Sequence, residues 1–229
     1  MSVAKSELMP EYPIVLQLAG KDCVVVGSGP VGMRKVRGLL SAGARVRLIS
    51  PSGWQQAGLE NVEIIPRAFC PGDLEGASLV FAATGDNDSD REVAAEARSL
   101  RIPVCLAGLP EEGDFSLPAV LRRGDLTVAV TTAGRSPALA TLVRDQLEAL
   151  LPDTWATVLD IAAAVRQRAL SAPDSIDYSA EKLRHLMSGS LLELLAARDA
   201  VAVDQWLQHV FGPSWSLASL GISLPERNP

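Results

Sequence analysis

The chain has 229 residues, of which 48% are hydrophobic and 21% charged, and its formal net charge is −6. This composition is typical of a globular protein and excludes disordered or collagen-like chains, and no segment is basic enough to neutralise a nucleic-acid backbone. No apolar run approaches the roughly 20 residues that span a bilayer and the N terminus lacks an apolar signal core, so we expect a cytoplasmic protein with neither a membrane nor a nucleic acid as partner.

The first hundred residues alternate apolar runs of strand length with segments of helical spacing at Val31–Ser41 and Ser89–Leu100. Continuous apolar runs suit strands that are covered on both faces, as in a parallel sheet, and the alternation implies right-handed βαβ crossovers. We therefore predict a doubly wound α/β domain over residues 1–111. Its strands are expected at Cys23–Gly27, Arg45–Ile49, Val62–Ile65, Ser78–Thr84 and Ile102–Ala107.

A glycine-rich loop of the form G-x-G-x-x-G directly follows the first strand and opens the first helix, which is the context that a dinucleotide-binding loop requires. Gly27 permits the tight turn, Gly29 lets backbone amides reach a pyrophosphate, and Gly32 lets helix and strand pack closely. The helix N terminus adds partial positive charge. We predict a Rossmann-like domain that binds a dinucleotide through Gly27, Ser28, Gly29, Pro30, Val31 and Gly32.

The end of the second strand departs from the usual dinucleotide pattern, since it lacks the Asp or Glu that holds the ribose hydroxyls. Ser50 or Ser52, on either side of Pro51, is the candidate for that contact. No arginine immediately follows the strand, which favours NAD over NADP. Between Cys23 and Leu59 the chain has five basic residues and no acidic one. They form either a solvated helix face together with a pair at the strand edge, or a positive field that attracts anionic ligands. They are Arg34, Lys35, Arg37, Arg45 and Arg47.

The loop that follows the fourth strand is a further candidate for cofactor contact. Strand carboxyl ends line the ligand crevice in sheets of this kind, so Thr84, Gly85 and Asn87 are expected on the cofactor side. The alternative is an ordinary polar loop in which Asp86 and Asp88 assist the capping of a helix.

After Pro110 the pattern changes to two strands, Phe115–Val120 and Leu126–Thr132, joined around a turn at residues 122–125. Ser136 then caps a helix that runs to about Leu151, with Pro137 in its first position. We predict a small α+β segment over residues 112–152 and a C-terminal helical domain over residues 153–229. Its helices are expected at about 154–170, 179–188, 190–197 and 199–211, before an extended tail over 212–229.

The cysteines and histidines give no sign of a metal site or a disulfide framework. Cys23, Cys70 and Cys105 are widely spaced, and the first and last of them lie in apolar runs that predict burial. His185 and His209 have no Cys or His neighbour at ligand spacing, so no metal ligands are assigned.

Motifs along the chain resemble the precorrin-2 dehydrogenase family, which forms the N-terminal module of siroheme synthases. The resemblance covers about residues 13–152. Its motifs are Pro13-Ile-Val-Leu-Gln-Leu18, Lys21-Asp22, the glycine loop with Arg34-Lys35, Ala82-Ala-Thr-Gly-Asp-Asn87, Asp114-Phe-Ser-Leu-Pro-Ala119, Arg123-Gly-Asp-Leu-Thr-Val-Ala-Val130 and Thr131-Thr-Ala-Gly-Arg-Ser-Pro137.

The resemblance implies a cytoplasmic enzyme that oxidises precorrin-2 to sirohydrochlorin with NAD, in siroheme or related tetrapyrrole synthesis. It also implies an intertwined homodimer, in which residues 112–152 form the dimerisation segment. Some members of the family additionally insert ferrous iron into the product, whereas others only dehydrogenate.

One departure from the family concerns this second activity. Members carry Asn-Val-Val-Asp after the fifth strand, whereas Gly108 or Leu109 stands here where the Asp is expected. Iron insertion needs a base that takes the pyrrole protons, so we expect a dehydrogenase without chelatase activity. Asp114, within the family's own Asp-Phe, is a tentative catalytic residue, and its alternative role is structural hydrogen bonding.

Precorrin-2 carries many carboxylates, so its pocket requires cationic and hydroxyl donors. Thr131, Thr132, Arg135 and Ser136 are the candidates, and Ser136 begins a helix that is able to receive an anion. Arg122 and Arg123 either join them or lie in a solvated turn.

Two other functions remain as alternatives. An NAD-binding regulatory module that senses the dinucleotide without turnover would explain the glycine loop equally well. The Y-x-x-x-K string from Tyr178 to Lys182 is similar to short-chain dehydrogenases, but their glycine spacing and upstream serine are missing.

Overall fold

The computed structural model describes residues 11–52, 61–171, 180–187 and 189–224. The chain divides into two compact units, Met1–Leu117 and Pro118–Pro229. Residues 118–152 thus fall in the same unit as the helices that follow them. The finer division at residues 111 and 152 stays a prediction.

The first unit is built on a five-stranded parallel sheet, which confirms the predicted Rossmann-like α/β fold. The strand order β3-β2-β1-β4-β5 reverses direction at β1, so the crevice of the topological switch point lies between the carboxyl ends of β1 and β4. The elements are β1 Asp22–Val26, α1 Pro30–Ser41, β2 Arg45–Ile49, β3 Val62–Ile65, β4 Leu79–Ala82, α2 Asn87–Ser99 and β5 Val104–Leu106.

The central strands β1 and β4 are buried on both faces, which explains the uninterrupted apolar runs Cys23–Val26 and Leu79–Ala82. In β1, Cys23 and Val25 belong to one core cluster, together with Val36 of α1. Val24, on the opposite face, packs in a second cluster with Val93 of α2. Because successive side chains alternate between faces, a strand with a helix on each side must be apolar at every position.

The second unit opens with an antiparallel hairpin of β6 Ala119–Arg123 and β7 Leu126–Val130. The predicted strand Phe115–Val120 was wrong in its start, since the Phe115 ring packs edge-on against Phe81 in the first unit, with ring centroids 5.4 Å apart. Arg123 belongs to the strand and not to a solvated turn, and its Nε donates to the Leu151 carbonyl at 2.7 Å.

Helices follow the hairpin in the described part of the second unit. Ser136 caps the first of them as predicted, since its Oγ accepts from the Leu139 amide at 3.3 Å. The tail predicted as extended contains a short helix, which begins with a capping box between Ser216 and Ser219. The helices are α3 Pro137–Leu150, α4 Thr154–Ser171, α5 Ala180–Leu186, α6 Gly189–Ala196, α7 Ala200–Phe211 and α8 Leu217–Leu220.

The helices α4 to α8 enclose their own apolar core, in which Ile161, Leu191, Leu207 and Trp215 are buried. Within the residues that the structure describes, no helix combines the length and apolarity needed to cross a membrane.

Candidate dinucleotide site

Two glycines of the loop between β1 and α1 leave no room for a side chain. Gly27 has a φ of +107°, and a Cβ there would lie 2.2 Å from the Ala83 carbonyl oxygen. A Cβ on Gly32 would lie 1.9 Å from the Gly27 carbonyl oxygen. The exit of β1 therefore abuts the exit of β4, and α1 begins directly against the loop.

Gly29 is different, because a Cβ placed on it meets no atom within 4 Å. Gly29 is also the N-cap of α1, where no side chain accepts a hydrogen bond and no acidic residue stands in the first turn. The helices α2, α3, α7 and α8 are each capped by a side chain, from Asp86, Ser136, Asp199 and Ser216 respectively.

The uncapped start of α1 has the chemistry of an anion site. Pro30 has no amide proton, so the first-turn amides of Val31 and Gly32 are the donors, and the helix dipole adds positive potential. The open space at Gly29 lets a phosphate approach them. These residues fit the pyrophosphate of a dinucleotide.

Ser28 and Ser50 meet at the carboxyl ends of β1 and β2, with their hydroxyl oxygens 2.8 Å apart. Ser50 is only 5% exposed, and its amide donates to the Ile65 carbonyl of the neighbouring strand. Pro51 and Ser52 are exposed beside it. Neutral hydroxyls thus stand where a dinucleotide-binding strand usually presents a carboxylate.

The five basic residues of this region divide into two groups. Arg45 is paired with Asp22 at 2.7 Å, and Arg47 donates to the Glu75 carbonyl, which matches the strand-edge interpretation. On α1, Arg34 and Arg37 are exposed, whereas Lys35 is half-buried with Nζ 5.9 Å from the Phe81 ring centroid. Burial lowers the pKa of the Lys35 ammonium.

The loop after β4 is fixed by a carboxylate that sequence analysis missed. Asp90 is 1% exposed, and its Oδ1 accepts from the Thr84 amide at 3.0 Å and from the Thr84 hydroxyl at 2.7 Å. A pattern in the sequence could have revealed it, because Asp90, Val93 and Ala97 follow the helical spacing of a buried face.

Asp86 is the N-cap of α2, and its carboxylate accepts from the Ser89 amide at 2.8 Å. The hydrogen bonds from Ser89 hold the pKa of Asp86 below its usual value. The capping alternative is therefore observed for Asp86, while Thr84, Gly85 and Asn87 are exposed in the same loop.

The loop after β5 reaches the same edge of the sheet. A Cβ on Gly108 would lie 3.2 Å from Asn87 Oδ1, so the exits of β4 and β5 are adjacent. Asp114 binds the amino end of β5 and not its carboxyl end: its amide donates to the carbonyl of Val104, the first residue of the strand, at 2.8 Å, and its Oδ2 accepts from the Val104 amide at 2.9 Å. These bonds match the alternative role of Asp114, structural hydrogen bonding, and its catalytic role stays a prediction.

The candidate substrate residues share one loop of the second unit, between β7 and α3. The Thr132 hydroxyl accepts from the Ser136 amide at 3.1 Å, and the Thr131 hydroxyl accepts from the Ala133 amide at 3.1 Å. Arg135 is exposed. The structure therefore places Thr131, Thr132, Arg135 and Ser136 together at the start of α3, and their role stays a prediction.

No cluster of three or more metal-ligating side chains occurs in the part of the chain that the structure describes. Tyr178 lies outside the described residues, so the interpretation of the Y-x-x-x-K string is not addressed.

Comparison with known proteins finds two family models that match along the chain. Residues 14–119 match a family model described as putative NAD(P)-binding, and residues 123–150 match the central part of sirohaem biosynthesis proteins. Siroheme synthase of Nitrosomonas europaea is 34% identical over 206 residues, which cover 86% of this chain and 42% of that protein. Siroheme synthase of Pseudomonas aeruginosa is 32% identical over 229 residues, covering 96% and 49%.

The chain thus spans less than half the length of these curated relatives. Among solved structures, one described as SirC, precorrin-2 dehydrogenase, superposes with a TM-score of 0.61 at 20% sequence identity, covering 87% of this chain and 98% of that one. The two proteins share their fold.

Proposed function

Because this chain belongs to the family formed by the N-terminal part of siroheme synthases, we propose that it is a precorrin-2 dehydrogenase that forms sirohydrochlorin with NAD⁺. The observation that carries the proposal is the uncapped start of α1 at Gly29, in the loop whose Gly27 abuts Ala83 and Thr84 at the switch point of the sheet. The name of the solved neighbour, a precorrin-2 dehydrogenase, points to the same reaction.

The cofactor residues would act together along one edge of the sheet. The amides of Val31 and Gly32 bind the pyrophosphate, and the hydroxyls of Ser28 and Ser50 contact the ribose nearest β2. Ser52 and Pro51 border the same ribose. Bound NAD⁺ supplies the hydride acceptor that protein side chains lack.

The loop after β4, with Thr84, Gly85 and Asn87, borders the remainder of the cofactor. The absence of an arginine directly after β2 favours NAD over NADP as the dinucleotide, since a 2′-phosphate would need a cation there.

The substrate is a macrocycle with many carboxylates, so its binding needs donors that the second unit offers in one loop. Arg135 supplies a full positive charge, and the Thr131, Thr132 and Ser136 hydroxyls supply neutral donors at the start of α3.

Oxidation of precorrin-2 removes a hydride and a proton from the macrocycle. We assign the proton to Asp114, whose residue is exposed and whose Oδ2 is held by the Val104 amide, so that Oδ1 is the oxygen that accepts it. The chain has no acidic residue at 108 or 109, and we therefore propose that it does not insert iron into sirohydrochlorin.

The decisive experiment is anaerobic incubation of the pure protein with precorrin-2 and NAD⁺. Sirohydrochlorin absorbance should appear together with an equimolar amount of NADH. Binding of NAD⁺ without any turnover would instead identify a regulatory module that senses the dinucleotide. Enzyme-dependent insertion of ferrous or cobaltous ion into sirohydrochlorin would contradict the proposed lack of chelatase activity.

We also propose that the enzyme is a homodimer and works in the cytoplasm. The first rests on the match of residues 123–150 to the central part of sirohaem biosynthesis proteins, and sedimentation analysis tests it. The assignment to the cytoplasm rests on two points. The thiols of Cys23, Cys70 and Cys105 are free, which suits a reducing compartment, and the proposed cofactor is NAD⁺. Fractionation of cells tests the compartment.

A further inference from the structure

Asp90 is the one charged side chain that is buried within the residues described by the structure. It stands in the first turn of α2, on the helix face that also buries Val93, Ala94 and Ala97. An aliphatic residue at that position would pack without the desolvation cost of a carboxylate. The start of α2 offsets part of this cost through its dipole, and the rest must be offset by what the carboxylate binds.

Everything that the carboxylate is seen to bind belongs to Thr84. One oxygen, Oδ1, accepts both the Thr84 amide and the Thr84 hydroxyl. The Thr84 hydroxyl in turn accepts from the Asp86 amide at 3.1 Å. A single buried oxygen thus fixes the backbone of the loop between β4 and α2 at two successive points.

On its other side, the loop between β4 and α2 packs closely against the glycine loop and against Gly108, which limits its movement. The Cα of Thr84 lies 2.9 Å from the position of a Cβ on Gly27, and the Ala83 carbonyl lies still closer. Asn87, at the far end of the loop, lies against Gly108. A displacement of Thr84 would therefore be transmitted to the glycine loop at Gly27.

We propose that Asp90 is a positioning residue of the dinucleotide site, which holds the loop Thr84–Asn87 against the glycine loop and so sets the affinity for the cofactor without touching it. The inference rests on the proposed function, since it takes a nicotinamide dinucleotide as the ligand of this edge. It adds to that function a residue that no motif marks.

The test compares the Kd for NAD⁺ of Asp90→Ala and Asp90→Asn, measured by calorimetry on the full chain. Asp90→Ala leaves the Thr84 amide without its acceptor, so its Kd should rise about tenfold. An asparagine oxygen can accept both bonds from Thr84, so Asp90→Asn should remain within about threefold of the unchanged protein. In turnover, Asp90→Ala should raise the KM for NAD⁺ and leave kcat nearly unchanged.

Val93→Ala is the matched control, because Val93 is fully buried one turn further on the same face of α2. It should lower the melting temperature without changing the Kd for NAD⁺. An equal rise in Kd for Val93→Ala and Asp90→Ala would overturn the inference, since it would reduce Asp90 to general stability. Unchanged binding by Asp90→Ala would overturn it as well.

If Asp90→Ala does not fold, Asp90→Leu carries the test against Asp90→Asn. Leucine fills the buried position but accepts no hydrogen bond, so it should raise the Kd for NAD⁺ about tenfold, whereas asparagine should remain within about threefold. Equal affinities of the two variants would overturn the inference. If the unchanged protein does not bind NAD⁺, the proposed function itself is wrong. If it binds NAD⁺ and Asp90→Ala binds equally well, only the inference is wrong.

Discussion

The hydroxyl oxygens of Ser28 and Ser50 lie 2.8 Å apart, although 22 positions separate the two residues in the sequence. The contact joins the glycine loop to the end of β2, where dinucleotide-binding strands usually present a carboxylate to the ribose. Under the proposed function, these two hydroxyls would hold the ribose through neutral hydrogen bonds, and the affinity for NAD⁺ would depend on them.

Replacement of Ser50 by alanine should raise the Kd for NAD⁺ about five- to tenfold, since it removes one hydroxyl and leaves Ser28 without its partner. Ser41→Ala is the matched control, because the Ser41 hydroxyl is exposed and donates to the Gly38 carbonyl at the end of α1. Titration calorimetry measures both. Equal affinities of the two variants would show that the ribose lies elsewhere.

Much of the first unit could be predicted because its local patterns and its tertiary environment agree. The strands β2 and β3 have the predicted bounds because both are rich in Val, Ile and Leu, whereas their charged residues Arg45, Arg47 and Glu63 are exposed or half-buried. The glycine loop could be predicted because Gly27 and Gly32 are required by backbone contacts.

What could not be predicted depends on contacts between distant residues. Phe115 and Leu117 have the two-residue spacing of a strand, yet the Phe115 ring packs against Phe81 in the core of the first unit, and the strand begins only at Ala119. The helical spacing of Asp90 with Val93 and Ala97 is typical of a buried face, but only the fold shows that the partner of its carboxylate is Thr84.

Gly32→Ala should strongly reduce both stability and cofactor binding. The added Cβ would lie 1.9 Å from the Gly27 carbonyl oxygen, so the helix or the loop must move and the pyrophosphate donors move with it. We expect a loss of at least about 2 kcal/mol in the free energy of unfolding and the loss of measurable NAD⁺ binding.

Gly38→Ala is the control on the same helix, because a Cβ there meets nothing within 4 Å. Alanine has less backbone freedom than glycine in the unfolded chain, so Gly38→Ala should raise the free energy of unfolding by about 0.5–1 kcal/mol and leave the Kd for NAD⁺ unchanged. Urea unfolding measures both variants. A Gly32→Ala protein that is as stable as Gly38→Ala would contradict the close packing at the loop.

The three thiols should differ in reactivity towards a thiol reagent. Cys70 is exposed, whereas Cys23 and Cys105 are buried in the sheet. Burial raises the pKa of the Cys23 thiol to about 11 and also raises that of Cys105, so neither forms the reactive thiolate at pH 8. One equivalent should react rapidly in the folded protein and three after denaturation, and Cys70→Ser should abolish the rapid phase.

The stability of the first unit should fall in acid through Asp73. The Arg67 guanidinium, followed by the Cys70 amide, holds the pKa of Asp73 below its usual value. A folded pKa below the unfolded value of about 4 gives a stabilisation that is complete above pH 4 and is lost as the pH falls through the lowered value.

The difference in free energy of unfolding between the unchanged protein and Asp73→Asn should therefore be largest near pH 6 and shrink below pH 4. Urea unfolding at several pH values measures it. Glu63→Gln, at an exposed position on β3, is the control for the loss of one negative charge. A constant difference from pH 6 to pH 3 would mean that the ion pair with Arg67 contributes nothing.

Arg135→Ala should raise the KM for precorrin-2 without changing the Kd for NAD⁺. Arg135 is exposed in the loop before α3, and it brings a positive charge to the loop where the hydroxyls of Thr132 and Ser136 lie. Loss of one charge-assisted contact to a substrate carboxylate should raise KM about tenfold, while kcat changes less. Arg184→Ala, on an exposed face of α5, is the control for loss of charge alone. The assay is initial-rate NADH formation under anaerobic conditions with either substrate varied. An unchanged KM for precorrin-2 in Arg135→Ala would remove this arginine from the binding surface, and an equal rise in Arg184→Ala would reduce the effect to long-range electrostatics.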